Sequence, residues 1–166
     1  MSVPKNLPSQ SSVSLDRIDR KLISILQKDG RLSNADLAKA VHLTPTPCLR
    51  RVREMENSGL ITGYKAVVDR RKVGFGMRAF VGITRDRDVD PHEMWRQIEV
   101  LPEIIGCYAV SGEFDLLLDV VSPDLDTFSN VLIEKLLAIP GVGQTRSIFV
   151  LKEIRSDAPL PVEALR

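Results

Sequence analysis

The stretch LTPTPCLRRVR, from Leu43 to Arg53, decides the fold of the first half of the chain. Its two prolines stand where a helix begins. Proline is tolerated in a first helical turn because its fixed φ suits the helix and its missing N–H would have no intrahelical partner there. Thr44 is therefore the predicted N-cap, with Pro45 at the first helical position and Pro47 at the third. The basic letters RRVR then fall on the body of the helix.

One stripe of this predicted helix is mostly apolar at 100° per residue and is expected to pack inward. The stripe comprises Pro45, Cys48, Leu49, Val52, Met55 and Glu56. The exposed face comprises Pro47, Arg50 and Glu54, with Thr46, Arg51 and Arg53 on its shoulders. Arginine pairs with guanine edges or phosphates, and threonine offers a hydroxyl and a methyl, so this face suits the major groove of DNA. A solvated helix face is the simpler alternative, because most charge runs are only that.

The residues before this helix predict its partner in a helix-turn-helix pair. Ser33 and Asp36 have the spacing of a capping box and open a predicted helix over residues 34–41. Only His42, Leu43 and the cap separate the two helices, and such a short turn is typical of a helix-turn-helix.

A third helix further upstream would close a small core. Its apolar stripe comprises Leu15, Ile18, Leu22, Ile25 and Leu26. Gly30 follows as the predicted C-cap, where glycine is common. After Gly59, the phrase LITGYKAVVD suits a strand or wing that leads out of the bundle.

Charge divides the chain in two. Residues 1–76 hold 14 Lys/Arg and 7 Asp/Glu, a net charge of +7, whereas residues 77–166 hold 9 and 15, a net charge of −6. This contrast predicts that only the first part meets a polyanion. The predicted domains are residues 15–62 for DNA binding and 77–155 for a second domain, joined by a linker strand over 63–76. Residues 1–14 are expected to be a disordered tail and 156–166 a C-terminal tail.

The second part repeats a strand–helix–strand pattern. The phrases MRAFVGIT and IIGCYAV predict strands on either side of the helix DPHEMWRQIEVL, and DLLLDVV and TRSIFVLKEI flank a helix over residues 123–138. The phrases LPEI and IPGV, 38 residues apart, end the two helices. Two β-α-β units joined by a tight loop predict a ferredoxin-like βαββαβ sandwich, so the fold class is α+β.

One face of that sheet has no helix to cover it. Apolar strand positions such as Phe80, Tyr108, Leu117 and Phe149 predict a covering partner, although the pattern does not assign each of them to a face. A homodimer through the sheets or their edges is expected. Its two-fold axis would present two recognition helices to half-sites about 34 Å apart, or a multiple of that.

The loop SGEFD, Ser111 to Asp115, is the sharpest candidate for a ligand site. Gly112 can adopt a positive φ and bring backbone N–H groups to a small anion, while Glu113 or Asp115 can accept hydrogen bonds from an ammonium. An amino acid carries both charges. The alternative is an ordinary hairpin, because glycine and aspartate are common turn residues.

Other function classes find no support in the sequence. No apolar run approaches the roughly 18 residues of a membrane span, and nothing resembles a signal peptide, so a cytoplasmic protein without a membrane partner is expected. Cys48 and Cys107 offer no disulfide framework. His42 and His92 have no neighbours at metal-ligand spacing, and P-loop, GxGxxG and GxSxG motifs are absent. We therefore expect neither an enzyme nor a cofactor or metal.

Four phrases together resemble the Lrp/AsnC, or feast/famine, family of transcription regulators. They are LDRIDRKLISILQKDGRLSNADLA, LTPTPCLRRVREMENSGLITGY, VSGEFDLLLDVVSPDL and IPGVGQTRSIFVLKEI, in family order between Leu15 and about Leu160. The resemblance implies a winged helix-turn-helix that binds double-stranded DNA, followed by an ACT-like domain that binds an amino acid. It also implies dimers that assemble further, often to octamers, with the effector bound between C-terminal domains of neighbouring subunits.

The resemblance also assigns residues. The recognition helix falls on Pro45 to Arg53, and the DNA-binding set is Ser33, Asn34, Thr44, Thr46, Pro47, Arg50, Arg51 and Arg53. The effector-binding set is Gly112, Glu113, Asp115, Leu125, Ile148, Phe149 and Val150. Asp115 would hold the ammonium of the ligand and Gly112 would approach its carboxylate, whereas core or interface packing is the alternative for the apolar members.

Two positions depart from many relatives. Glu113 stands where aspartate is common, and Leu116 where tyrosine is frequent. The charge pattern of the implied pocket survives these changes, but its side-chain selectivity is left open. An architectural protein that coats DNA without sensing any ligand is the alternative function.

Overall fold

A computed structural model describes residues 14–86 and 88–164. They form two compact units, one of residues 14–66 with 155–164 and the other of residues 67–154. The predicted disordered tail lies outside the described residues except for Ser14. None of the helices in the described part is long and apolar enough to cross a membrane.

Three helices build the first unit: α1 (Arg17–Leu26), α2 (Asn34–Ala40) and α3 (Pro45–Asn57). Helix α1 begins with a capping box, in which the Asp16 carboxylate accepts the Asp19 N–H at 2.9 Å and the Asp19 carboxylate accepts the Asp16 N–H at 3.2 Å. Each carboxylate thus satisfies an N–H that the helix leaves unpaired. The three helices enclose one buried cluster: Leu22, Leu26, Leu37, Ala38, Val41, Cys48, Val52 and Met55.

The turn between α2 and α3 depends on an unusual backbone conformation at His42. Its φ is +57°, in the left-handed region that glycine usually occupies at this position. The N–H of His42 donates to the Lys39 carbonyl at 3.2 Å, and the N–H of Leu43 donates to the Ala38 carbonyl at 2.8 Å. These two bonds form a Schellman motif, which ends α2 sharply and turns the chain into α3.

Two expectations for the first unit and its linker are wrong. Helix α1 ends at Leu26 with Gln27 as its C-cap, so Gly30 is not the cap. Gly30 instead lies under Tyr64, because an added Cβ would stand 2.8 Å from the tyrosine ring. The linker strand expected over residues 63–76 is not formed: residues 63–69 have no regular structure and residues 70–74 form a turn. A strand needs a paired neighbour, and this segment has none among the residues that the structure describes.

The C-terminal segment packs within the first unit rather than trailing from the second. Its short 3-10 helix, Val162–Ala164, contacts α1. The Gln27 side chain donates to the Leu160 carbonyl at 3.1 Å and accepts the Leu160 N–H at 2.7 Å. This two-way amide pair fixes the segment to α1.

The second unit has the predicted ferredoxin-like topology. A four-stranded sheet in the described residues has the order β2-β3-β1-β4, with antiparallel neighbours throughout. The elements in chain order are β1 (Met77–Arg85), α4 (Pro91–Glu99), β2 (Ile104–Ala109), β3 (Leu116–Ser122), α5 (Leu125–Asn130) and β4 (Val142–Phe149). Asp90 caps α4 and Asp124 caps α5 through their side chains.

Two elements differ from their predicted bounds. The helix expected over residues 123–138 is α5 followed directly by a π-helical segment, Val131–Leu136. Strand β4 spans residues 142–149 rather than 145–154. It stops because its partner strand β1 starts at Met77, and the Val150 N–H makes a last bond to the Arg78 carbonyl at 2.9 Å.

The sheet has a helix-covered face and an open face. The covered core includes Val81, Ile83, Leu118 and Val120 with Met94, Ile98, Phe128 and Leu136 from the helices. The register places Phe80, Leu117 and Tyr108 on the other face, beside Asp119. Phe149 lies on the covered side, where its ring contacts Phe128 edge-on at 5.2 Å between centroids.

Candidate DNA-reading helix and candidate effector site

Helix α3 carries most of the predicted DNA-binding residues on its exposed side. The prediction that Thr44 is the N-cap and Pro45 the first helical residue is confirmed. Thr44 makes no side-chain capping bond within the described residues, so its hydroxyl is available to an external partner. The exposed residues near the start of the helix are Thr44, Thr46, Arg50 and Arg53, while Pro47 is half-buried. The Arg50 guanidinium pairs with Glu54, one turn later, at 2.8 Å.

The predicted inward stripe of α3 is only partly right. Cys48, Val52 and Met55 are buried as expected, and burial raises the pKa of the Cys48 thiol. Leu49 is 37% exposed, and Pro45 and Glu56 are exposed too. The true packing face is therefore rotated toward Arg51, and Leu49 lies on the surface with Arg50 and Arg53. The error arose because the core is contacted by a narrow stripe at positions 48, 52 and 55, rather than by a wide one.

Arg51 differs from its basic neighbours because its partners lie inside the unit. Its guanidinium contacts Asp16 at 2.7 Å and Asp19 at 2.8 Å, and its side chain is only 25% exposed. The hydrogen bond to Asp19 is the main cause that raises the pKa of Arg51. The pKa of Asp16 is lowered, first by the Asp19 N–H and further by the hydrogen bond to Arg51, whereas burial, the second-largest effect, opposes the lowering. Arg51 thus braces α3 against the start of α1, a nonlocal contact that the sequence pattern did not reveal.

Ser33 and Asn34 also bond within the unit. The Ser33 hydroxyl donates to the Asp36 carboxylate at 2.6 Å and caps α2 by accepting the Asp36 N–H at 3.2 Å. The Asn34 side-chain amide donates to the Pro45 carbonyl at 2.8 Å, which joins the start of α2 to the start of α3. Ser33 remains exposed and Asn34 is half-buried. These bonds position the helix-turn-helix, and DNA contact by the two residues stays a prediction.

In the second unit, the loop before β3 is held at its base by Asp115. The Asp115 N–H donates to the Ile83 carbonyl at 2.9 Å, and one oxygen of its carboxylate accepts the Arg85 N–H at 2.7 Å. The Val110 N–H donates to the Asp115 carbonyl at 3.1 Å and closes the hairpin. Asp115 is therefore fixed against the end of β1, with its side chain still exposed to solvent.

The tip of the same loop is open. Gly112 has φ +126°, and an added Cβ would meet no atom within 4 Å. Glu113 pairs with Arg146 of β4 at 2.7 Å, and this arginine also lies 5.8 Å from the centroid of the Phe114 ring. The Phe114 ring packs against Gly82, where any Cβ would approach it to 2.6 Å. The loop is thus fixed by packing at Phe114 while the Gly112 backbone stays accessible.

The apolar members of the predicted effector set lie elsewhere in the unit. Leu125, 55% exposed, begins α5 just after the end of β3. Phe149, at the end of β4, pairs with Ala79 near the start of β1. By contrast, Asp115 lies next to Leu116, which pairs with Ile83 near the other end of β1.

A single chain therefore does not bring the predicted effector residues together. Strand β3 lies between Asp115 and Leu125, and its six steps from residue 116 to 122 span about 20 Å at 3.4 Å per residue. Ile148 pairs with Phe80 of β1, three steps or about 10 Å along the strand from Ile83, which pairs with Leu116. The loop group is Gly112, Glu113 and Asp115, and the far group is Leu125, Ile148, Phe149 and Val150. The sequence indicates both groups, but the distance between them depends on the strand register, which the sequence pattern does not give.

A cleft of about 290 Å³ lies at the loop end of the sheet. Its lining residues are Arg85, Pro91, Met94, Trp95, Ala109, Asp115 and Leu116. Sequence reasoning named only Asp115 for ligand contact here. The others come from α4 and from three different strand ends, so only the folded sheet makes them neighbours.

Comparison with known proteins connects both sites to one family. Residues 15–62 match the winged helix-turn-helix DNA-binding family, and residues 78–160 match the Lrp/AsnC ligand binding domain. The leucine-responsive regulatory protein of Escherichia coli is 42% identical over 151 residues, which cover 90% of this chain and 92% of that protein.

Solved structures agree with these matches. A transcriptional regulator of Neisseria meningitidis in complex with L-Met has a TM-score of 0.87 at 35% identity, over 90% of this chain and 97% of that one. A feast or famine regulatory protein of Mycobacterium tuberculosis, complexed with L-methionine, has a TM-score of 0.81 at 32% identity, over 87% and 97%. The chain therefore belongs to the Lrp/AsnC family of DNA-binding transcriptional regulators with an amino-acid-binding domain, a family of regulators and not of enzymes.

Proposed function

We propose that this regulator binds an amino-acid effector through its second unit and that the effector changes its DNA affinity or its assembly. The observation that carries the proposal is the position of Asp115. Its carboxylate is held by a backbone N–H at the mouth of a cleft, so a fixed negative charge faces the space where a small ammonium can bind. The open Gly112 backbone beside it suits the approach of an anionic group.

We further propose that a complete effector site needs a second copy of the chain. Leu125 lies about 20 Å along the sheet from the loop group, which is too far for one small ligand to touch both. Ile148 and Phe149 of the far group are exposed on the edge strand β4, where a neighbouring subunit can present them. Exposed apolar residues on the open sheet face, such as Tyr108 and Ile148, support a homodimer, and further assembly to an octamer would use the remaining exposed surfaces.

For DNA binding, we propose that Thr44, Thr46, Arg50 and Arg53 contact double-stranded DNA and that Arg51 acts through the position of α3. The first four are exposed on one side of the helix-turn-helix, whereas Arg51 is bound to Asp16 and Asp19. Because DNA is the partner, the cytoplasm is the proposed compartment.

The test measures DNA affinity with and without amino acids. A duplex selected by the protein from a random pool is titrated by fluorescence anisotropy in the presence of each common amino acid at millimolar concentration. We expect one chemical group of amino acids to change the affinity of the wild type and of Asp126→Ala, an exposed acidic control on α5. Asp115→Ala should bind DNA normally and lose the response.

Two outcomes would contradict this proposal. If no amino acid changes DNA affinity or sedimentation, the protein coats DNA without sensing a ligand, which is the architectural alternative. If Asp115→Ala responds as the wild type does, the ammonium partner lies elsewhere.

A further inference from the structure

Leu49 is an exposed apolar residue among the polar residues that α3 presents to DNA. Thr46, Leu49, Arg50 and Arg53 have the spacing i, i+3, i+4 and i+7, which places them along one side of the helix. Leu49 is 37% exposed. Among the described residues, it belongs neither to the buried cluster of the first unit nor to the half-buried apolar side chains that pack against that cluster. Packing of the core therefore does not explain a leucine at this position.

The first turn of α3, next to Leu49, is poor in hydrogen-bond donors. Pro45 and Pro47 occupy its first and third positions and have no N–H, so Thr46 supplies the only main-chain N–H of these three residues. The following N–H, that of Cys48, donates to the Thr44 carbonyl at 3.3 Å. A helix start binds phosphate through its free N–H groups, and the two prolines remove two of them. This helix start is therefore better suited to contact bases than to bind phosphate.

The major groove of DNA offers one apolar group to such a surface. Adenine, guanine and cytosine present hydrogen-bond donors and acceptors at their groove edges, whereas thymine adds a C5 methyl group. Hydroxyl and guanidinium groups bind the polar base edges and the phosphates, and apolar side chains contact the thymine methyl. On α3, Thr46, Arg50 and Arg53 supply polar groups of the first kind, and Leu49 supplies an apolar side chain between them.

We propose that Leu49 contacts the C5 methyl group of a thymine in the major groove and gives the regulator a preference for thymine at one position of each half-site. The assignment rests on the proposed contact of α3 with DNA and adds to it a residue that reads one base. Leu49 determines specificity at that position, while Arg50 and Arg53 supply the cationic contacts.

Replacement of thymine by uracil tests the proposal without changing the protein, because the two bases differ only by the C5 methyl group. A duplex that the full-length protein selects from a random pool is prepared with each thymine in turn replaced by uracil. Its Kd is measured by fluorescence anisotropy at one salt concentration. We expect one replacement in each half-site to weaken wild-type binding about fourfold, which corresponds to the loss of one buried methyl group. The other replacements should leave the affinity unchanged.

Variants of Leu49 connect this effect to its side chain. Leu49→Ala should bind the thymine and uracil duplexes equally, whereas Leu49→Met, which keeps a long apolar side chain, should retain the preference for thymine. Leu60→Ala is the matched control, because Leu60 is 36% exposed in the same unit but lies outside α3, and it should retain the preference as well. Each variant is titrated after its circular dichroism melt is found equal to that of the wild type.

The results separate failure of this inference from failure of the proposed contact between α3 and DNA. If no uracil replacement weakens wild-type binding, or if Leu49→Ala still prefers thymine, Leu49 does not read a methyl group and this inference is overturned. If Arg50→Met and Arg53→Met in addition bind the selected duplex with wild-type affinity, α3 does not contact DNA and the proposed contact fails too.

Discussion

The recognition helix and the effector loop both present polar groups to solvent, but they are completed in different ways. On α3, the exposed residues Thr46, Arg50 and Arg53 follow one another along a single element that is fully supported within its own unit. At the effector loop, Asp115 is supported by β1, yet the apolar residues assigned to the same ligand lie at the other end of the sheet. A surface on one helix is complete in one chain, whereas the proposed effector site, divided along a sheet, would need a further copy.

The support of the two regions differs as well. Helix α3 is fixed by the buried residues Cys48, Val52 and Met55 and by one brace, Arg51, to the start of α1. The open sheet face instead contains an internal ion pair, in which the Arg78 guanidinium donates to both carboxylate oxygens of Asp119 at 2.8 and 2.6 Å. The hydrogen bond to Asp119 is the main cause that raises the pKa of Arg78.

The prediction with the largest expected effect concerns which side of α3 faces the core. Val52→Asp puts a carboxylate at a position that is 8% exposed, at a cost of several kcal/mol for an unpaired buried charge. That cost approaches the whole stability of a small unit, so helix content should fall and the first unit should not unfold cooperatively. Leu49→Asp, on the exposed side, should change stability by less than about 1 kcal/mol.

Circular dichroism melts of the two variants decide this point. If Leu49→Asp unfolds the protein and Val52→Asp does not, the packing face of α3 is the wide stripe that includes Leu49. The contrast between an exposed helix surface in one chain and effector residues divided along the sheet then fails.

A second prediction concerns the internal ion pair. Arg78→Met leaves Asp119, which is 5% exposed, without its partner and should cost about 3–5 kcal/mol in urea unfolding. Arg50→Met removes the exposed pair with Glu54 and should cost no more than about 0.5 kcal/mol. Replacing both partners, Arg78→Met with Asp119→Leu, should recover most of the loss. Equal losses for Arg78→Met and Arg50→Met would show that the sheet pair is as dispensable as the surface pair.

The same contrast explains what could be predicted from the sequence. The helix starts at Ser33, Thr44 and Asp90 depend on residues within one turn, so local pattern located these starts and the helix-turn-helix. The alternation of apolar residues located the four strands and their topology. These features were predictable because short-range sequence determines them.

The missed features depend on contacts that are distant in sequence. The turn at His42 has a left-handed backbone conformation without the glycine that usually indicates one. Leu49 is exposed because positions 48, 52 and 55 supply the buried side chains of α3. The end of β4 follows from where β1 begins. The separation of Asp115 from Leu125 likewise required the strand register, which no single segment contains.

The prediction with the smallest expected effect is a pH dependence of folding stability, which tests the contact of Arg51 on α3 with Asp16. The pKa of Asp16 is lowered in the folded chain by the Asp19 N–H and by Arg51, so its ionised form favours folding. This contribution is present above the unfolded pKa, near 3.8, and is lost as the pH falls through the lower folded value. Wild-type stability should therefore decrease on acidification below about pH 4. Asp16→Asn should be less stable than the wild type at pH 6 and should lose less stability between pH 6 and pH 3, as measured by urea unfolding. Equal losses of stability in the two proteins would mean that Asp16 has the same pKa in the folded and unfolded chain. Arg51 would then not be held by Asp16 and could turn toward DNA as Arg50 does. The contrast between Arg51 as a brace and Arg50 as an exposed residue would fail.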